Sequence, residues 1–171
     1  MLSDRAIVDA LGLVPLAEEG GMFRQSFEAD EKVAASALPS RYGRDKSLST
    51  AIYYLLSAEA DSFSALHRLP TDEVYHFYLG DPVEMLELHA DGTSRRVILG
   101  SDLLAGQRVQ HVVPRGVWQG SRVLPGGRLA LLGTTMAPGF DPLDYEGGVR
   151  AELVARYPER ADLIRRLTRE R

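Results

Sequence analysis

The chain has no cysteine among its 171 residues. That absence excludes disulfides, thiol nucleophiles and metal sites built on thiolate. Histidine occurs only four times and tryptophan once, so imidazole chemistry has to be sought at His67, His76, His89 or His111. No stretch approaches the roughly 20 apolar residues of a membrane-spanning helix, and no membrane partner is expected. The opening residues, MLSDRAIVDALG, carry Asp4 and Asp9 and no long apolar core, unlike a secretory leader. Lysine and arginine, 20 in all, are scattered and outnumbered by 24 aspartates and glutamates, leaving a formal charge of −4. Nucleic acid is therefore not an expected partner, since neutralising phosphates takes a basic stripe. The expected setting is the cytoplasm.

What is present is ordinary for a globular protein: 44% hydrophobic and 26% charged residues. A chain of this length is expected to form one domain, burying about 70% of its unfolded surface. Ser3 as N-cap, Asp4 in the first turn, a stripe of Ile7, Val8 and Leu11, and Gly12 as terminator predict a helix over residues 3–11. A turn at 18–21 precedes a strand at 22–27. Residues 29–46 are polar and irregular, with the length of a functional loop or a lid over a cavity. Strands are then predicted at 48–56, 63–67, 73–79, 83–88, 93–99, 109–113, 117–123 and 128–136. Asp91-Gly92 and Pro125-Gly126-Gly127 mark hairpin turns. Short strands punctuated by Gly and Pro, with no helix between them, predict an all-β sandwich or barrel with a core over about 22–136. After Pro138-Gly139-Phe140 the period changes, and residues 147–156 and 158–168 read as peripheral helices, the second opened by Pro158.

The stretch SALHRLPTDEVYHFYLG, residues 64–80, concentrates the chemistry. His67 ends one apolar run, Glu73 starts the next, and a short turn containing Pro70 separates them. Strand alternation would put Phe63, Ala65 and His67 on one face and Glu73, Tyr75 and Phe77 on another. If both strands line one barrel, an imidazole and a carboxylate point into the same apolar interior, an arrangement suited to binding or proton transfer.

This stretch resembles the first cupin motif, His-x-His, three or four residues, Glu, six residues, Gly. His67 stands at the first histidine, Leu69 at the second, Glu73 at the glutamate and Gly80 at the glycine. GQRVQHVVPRGVWQ, residues 106–119, resembles the second motif, with Pro114 and Gly116 in place and Gln119 at the histidine position. STAIYYLL, HRLPTDEVYHFYLGDP, LGSDLLAGQ, VPRGVWQ and APGF together resemble the Cupin_5 branch. That branch tends to write His-Pro-Glu-Gly-Gly-Tyr where this chain has Ala17-Glu18-Glu19-Gly20-Gly21-Met22. The resemblance implies a cupin jelly-roll barrel, a double-stranded β-helix, and a homodimer that covers exposed strand edges. Ala65-Leu66-His67 also resembles the Arg-Gly-Leu-His string that carries the catalytic base of cupin-fold dehydrorhamnose epimerases. The string's arginine is replaced by Ser64, which leaves phosphate binding there without its cation.

Cupin metal sites use three histidines and a glutamate, and a facial triad needs two histidines and a carboxylate. His67, Leu69, Glu73 and Gln119 supply one imidazole and one carboxylate, so no metal or other cofactor is expected. The leading expectation is a metal-independent enzyme on a small polar metabolite, removing a proton beside a carbonyl in an isomerisation, epimerisation, dehydration or cyclisation. His67 is the expected base, Glu73 tunes or relays protons, and Gln119 with a tyrosine holds the oxyanion. Expected to bind substrate beside Gln119 are Trp118, Gln110, Tyr75, Tyr53, Phe140 and Tyr145, with Trp118 equally suited to core packing. Asp141, Asp144 and Glu146 include a candidate partner for His67. His76 falls on the face opposite Glu73, His89 beside a turn, and His111 on the face opposite Gln110. The alternatives are a non-catalytic small-molecule binder and a metal-dependent cupin with a reduced ligand set.

Overall fold

A computed structural model describes residues 3–58 and 62–169. Helix α1 is Asp4–Leu11, and the strands are β1 Val14–Pro15, β2 Met22–Glu28, β3 Lys32–Val33, β4 Lys46–Ser47, β5 Thr50–Ser57, β6 Phe63–Arg68 and β7 Glu73–Gly80. They continue with β8 Val83–Leu88, β9 Ser94–Leu99, β10 Gln110–Val113, β11 Trp118–Val123, β12 Leu129–Met136 and β13 Glu146–Gly147, then α2 Arg150–Arg156 and α3 Ala161–Arg166. Two sheets carry the fold, a six-stranded one ordered β1-β2-β5-β12-β7-β10 and a five-stranded one ordered β13-β6-β11-β8-β9. This is the predicted all-β jelly-roll architecture with short peripheral helices.

The two sheets bury their inner faces against each other. Tyr54, Leu56, Tyr75, Phe77 and Leu132 from one meet Val83, Met85, Val97, Leu99 and Val123 from the other. Strand β8 shows the pleat most plainly: Val83 and Met85 point inward, while Leu86 and Leu88 point outward. The outward pair is covered by Leu153, Tyr157, Ile164 and Leu167 of the C-terminal segment. That is why β8 is buried on both faces. On the other side, Ile7 of α1 and Leu13 cover Leu55, Leu129 and Leu131. Helix α1 is capped as its sequence predicts, with Ser3 Oγ accepting from the Ala6 amide at 3.2 Å and Gly12 in the left-handed conformation. Among the described residues, no helix is long and apolar enough to cross a membrane.

Three local expectations change. Pro125-Gly126-Gly127 turns the chain, but β11 and β12 belong to different sheets, so it is a crossover and not a hairpin. Turn residues mark a reversal without specifying which strands pair. The segment 29–46 is not an irregular lid: it holds β3, β4 and two single 3₁₀ turns, Ala35–Ala37 and Ser40–Tyr42. Tyr42 is buried, and Lys46 is buried against Asp144. Finally, Phe63, Ala65 and His67 do not share a face, because β6 carries a bulge.

Candidate functional site

The bulge aims the histidine. Along β11, Gln119 and Ser121 are two residues apart and face the same side. Their partners on β6 are His67 and Ser64, which are three apart. One extra residue in β6 therefore turns both Ser64 and His67 inward, while Phe63 and Leu66 pack outward under the C-terminal helices. The simple two-residue period did not carry this.

Inside, His67 is buried and lines a cavity of ≈ 640 Å³, within the size range of small-molecule sites. Its Nδ1 lies 2.8 Å from the Ala65 carbonyl oxygen. Its Nε2 lies 4.0 Å from Oε2 of Glu19. The Tyr145 ring stacks on the imidazole, centroids 5.1 Å apart and 21° between planes. Glu73 lines the same cavity from β7. Gln119 Nε2 donates to Glu73 Oε2 at 2.6 Å. Burial pushes the Glu73 carboxyl above its ordinary range, and nearby Glu19 adds to this, while His67 and the hydrogen bonds of Thr134 and Gln119 oppose it. Tyr75 is buried behind Glu73, with burial first and the Glu73 carboxylate second holding its hydroxyl well above the ordinary tyrosine value.

Glu19 is the group the sequence expectations missed. It sits in the turn before β2, about 50 residues before His67, and it comes in through a tight chain path. Its Oε1 accepts from Ser64 Oγ at 2.6 Å. Gly20 has φ +102, and a Cβ there would meet the Phe63 carbonyl oxygen at 2.3 Å, so only glycine lets the turn approach β6. Tyr54 donates to the Gly20 carbonyl at 3.0 Å and fixes the same turn. The signal available was the Glu-Gly-Gly that this chain shares with the branch it resembles.

The other expected residues divide. Phe140 and Tyr145 line the cavity. Gln119 and Tyr75 stand behind Glu73, with the Gln119 amide engaged by that carboxylate instead of open to an oxyanion. Trp118 is a correction: it packs outward with the C-terminal cluster, under the Arg68 guanidinium at 4.6 Å, because it alternates with Gln119. Tyr53 is a correction too, lying on the outer face with the α1 cluster and edge-on to Tyr78. Gln110 is exposed and sits 3.4 Å from His76, again outside. Among the acids after Phe140, Asp144 pairs with Lys46 and Arg44, Asp141 with Arg44, and Glu146 with Arg68. None of them orients His67; Glu19 and Tyr145 hold that place. His111 is buried with Glu87 and Arg95 at the seam between the sheets.

At the four positions where cupins hold a metal, the chain offers His67, a buried Leu69, Glu73, and Gln119, a neutral amide whose NH2 group donates to Glu73. Among the described residues, no group of three or more His, Cys, Asp or Glu is placed to hold a metal ion. The donor set does not fit one.

The profile of the Cupin_5 family (Cupin superfamily, DUF985) matches residues 5–147. The structure is similar to protein SO0799 of Shewanella oneidensis, at 29% identity and TM-score 0.87 over 100% of both chains. It is equally similar to a hypothetical protein from Leishmania major, at 28% identity and TM-score 0.87 over 99% of this chain and 100% of that one. Oxalate decarboxylase from Bacillus subtilis is similar in fold alone, at 15% identity and TM-score 0.50 over 88% of this chain and 35% of that one. No functionally curated protein matches.

Proposed function

The chain belongs to the Cupin_5 family of the cupin superfamily, and from that premise we propose that it is an enzyme moving protons beside a carbonyl of a small polar metabolite, without a metal. The observation that carries this reading is the hydrogen bond from His67 to its own strand. The Ala65 carbonyl can only accept, so Nδ1 holds the imidazole proton. A neutral His67 then keeps an unshared pair at Nε2, the nitrogen on the Glu19 side. A base is thereby pre-set in one tautomer.

The chemistry follows from two groups of opposite bias. His67 Nε2 takes the proton from the carbon beside the carbonyl, and the electron pair moves onto the carbonyl oxygen. Glu73, which burial keeps in its protonated form to higher pH, gives that oxygen a proton. The Glu19 carboxylate stabilises the imidazolium formed, and the Tyr145 ring holds its plane. Returning the proton to the other face or the next carbon gives epimerisation or isomerisation. Expelling a neighbouring leaving group gives dehydration. The test is to incubate the protein in D₂O with a panel of hydroxy- and amino-carbonyl compounds and look for deuterium at the carbon beside the carbonyl. If no compound exchanges above the rate without protein, the reading falls.

The same reading takes the protein as a cytoplasmic homodimer. Tyr78 on β7 and Val112 on the edge strand β10 are exposed, and a second copy would cover that edge. Sedimentation equilibrium at the monomer mass would contradict it.

A further inference from the structure

The walls of the cavity carry one sign of charge. Glu18, Glu19, Glu28 and Asp141 line it together with the buried Glu73, whose carboxyl burial holds toward its protonated form. Among the described residues no lysine or arginine lines it, and His67 is the only basic side chain on that wall. Arg44 answers Asp141 at 3.5 Å. Glu18 and Glu28 are exposed, with no cation paired to either among the described residues. The chain does not lack arginine nearby. Arg41, Arg44 and Arg68 gather in a separate hollow of ≈ 280 Å³ that shares only Leu69 with the cavity lining.

A second observation points the same way. Gln119 Oε1 is buried beside Glu73 with no hydrogen-bond partner. In front of it, Glu19 and Glu73 line the wall beside His67, and their carboxyl oxygens make the reactive end rich in acceptors, which calls for a ligand rich in donors. Phe23, Phe140 and Tyr145 supply aromatic surface on the same wall, and aromatic faces attract cations. A carboxylate or phosphate entering here would shed water without meeting a counter-charge.

We propose that the cavity takes a small organic cation, an amine joined to an apolar body, and rejects carboxylates and phosphates. Together with the proton-transfer reading, on which only the carbonyl rests, the substrate class is an amine-bearing carbonyl compound. The cation preference itself stands on the charge of the wall.

The experiment is calorimetric titration with three probes of similar shape: 2-phenylethylamine, 2-phenylethanol and 3-phenylpropanoate. The amine should bind about tenfold or more tighter than the alcohol, and the carboxylate weakest of the three. The advantage of the amine should shrink with added salt. Glu18→Gln/Glu28→Gln, two exposed changes, should cut it by roughly threefold while leaving the alcohol unchanged. A carboxylate that binds as tightly as the amine, an amine advantage untouched by the double substitution, or no binding by any probe would overturn the proposal. Repeating the titration with His67→Asn separates the two claims. Cation selectivity without proton exchange on any compound would remove the enzyme reading and keep this one. Exchange confined to anionic carbonyl compounds would do the reverse.

Discussion

His67 and Glu19 approach to 4.0 Å between Nε2 and Oε2, although the two residues come from a turn and a strand far apart in the chain. The bulge in β6 and the glycine turn at Gly20 each supply half of that approach. Glu19 is itself held by Ser64, the other residue that the bulge turns inward. The carboxylate is therefore placed to answer a charge that appears on the imidazole when it takes a proton.

Glu19→Gln removes that charge and keeps an oxygen for Ser64. Turnover should fall by roughly ten- to a hundredfold, from losing an opposite charge close to the imidazolium. Unfolding by urea should stay close to wild type. A variant with wild-type turnover would show that Glu19 only anchors its turn.

Glu73→Gln should reveal the cost of burying a carboxylate. A folded-state value raised by burial means that the unfolded chain releases the proton first as pH rises. The contribution of Glu73 to stability is thus full below the ordinary glutamate range and is lost as pH rises through the elevated folded value. Wild type should lose stability relative to Glu73→Gln as urea unfolding is repeated at pH values from about 4 upward. A wild type that gains on the variant over that range would contradict the burial argument.

Glu87 behaves in the opposite sense. Burial pushes it up, but the hydrogen bond and charge of His111, with Arg95, outweigh burial and bring it below the ordinary value. Its stabilising contribution is present above the ordinary glutamate range and is lost as pH falls through the lowered value. His111→Ala leaves Glu87 with Arg95 and His89 and should cost about 3 kcal/mol by chemical denaturation, the low end for breaking a buried pair. The proton exchange of folded His111→Ala should match wild type, since His111 lies outside the cavity lining.

Metal removal should change nothing. Protein treated with chelator and then dialysed should exchange substrate protons at the untreated rate, because Leu69 and Gln119 stand where two imidazoles would bind. Activity lost to chelator and restored by iron, manganese or zinc would contradict this.

Much of the fold was legible because it rests on local signals. The run VEMLEL is a strand in the structure at the boundaries its turn residues predict, Val83–Leu88, and Ser3 and Gly12 bound α1. The site was legible only in part. His67 and Glu73 were found by alternation and motif spacing, yet alternation placed Ala65 with His67, since a bulge has no two-residue signature. Trp118 and Gln110 lie within the stretch that resembles the second motif, but the pleat turns each away from its inward neighbour. Glu19 could not be paired with His67 from sequence, because the contact is made by a loop whose path depends on the whole sandwich.

The most direct test of the account is deuterium incorporation beside the carbonyl, compared between wild type and His67→Asn. Both proteins should be taken at equal folded concentration, on whichever compound the wild type exchanges. Asparagine keeps polarity and approximate size but offers no base, so the exchange rate should fall by roughly a hundred- to ten-thousandfold. Exchange at the wild-type rate in folded His67→Asn would remove His67 from the chemistry and contradict the account.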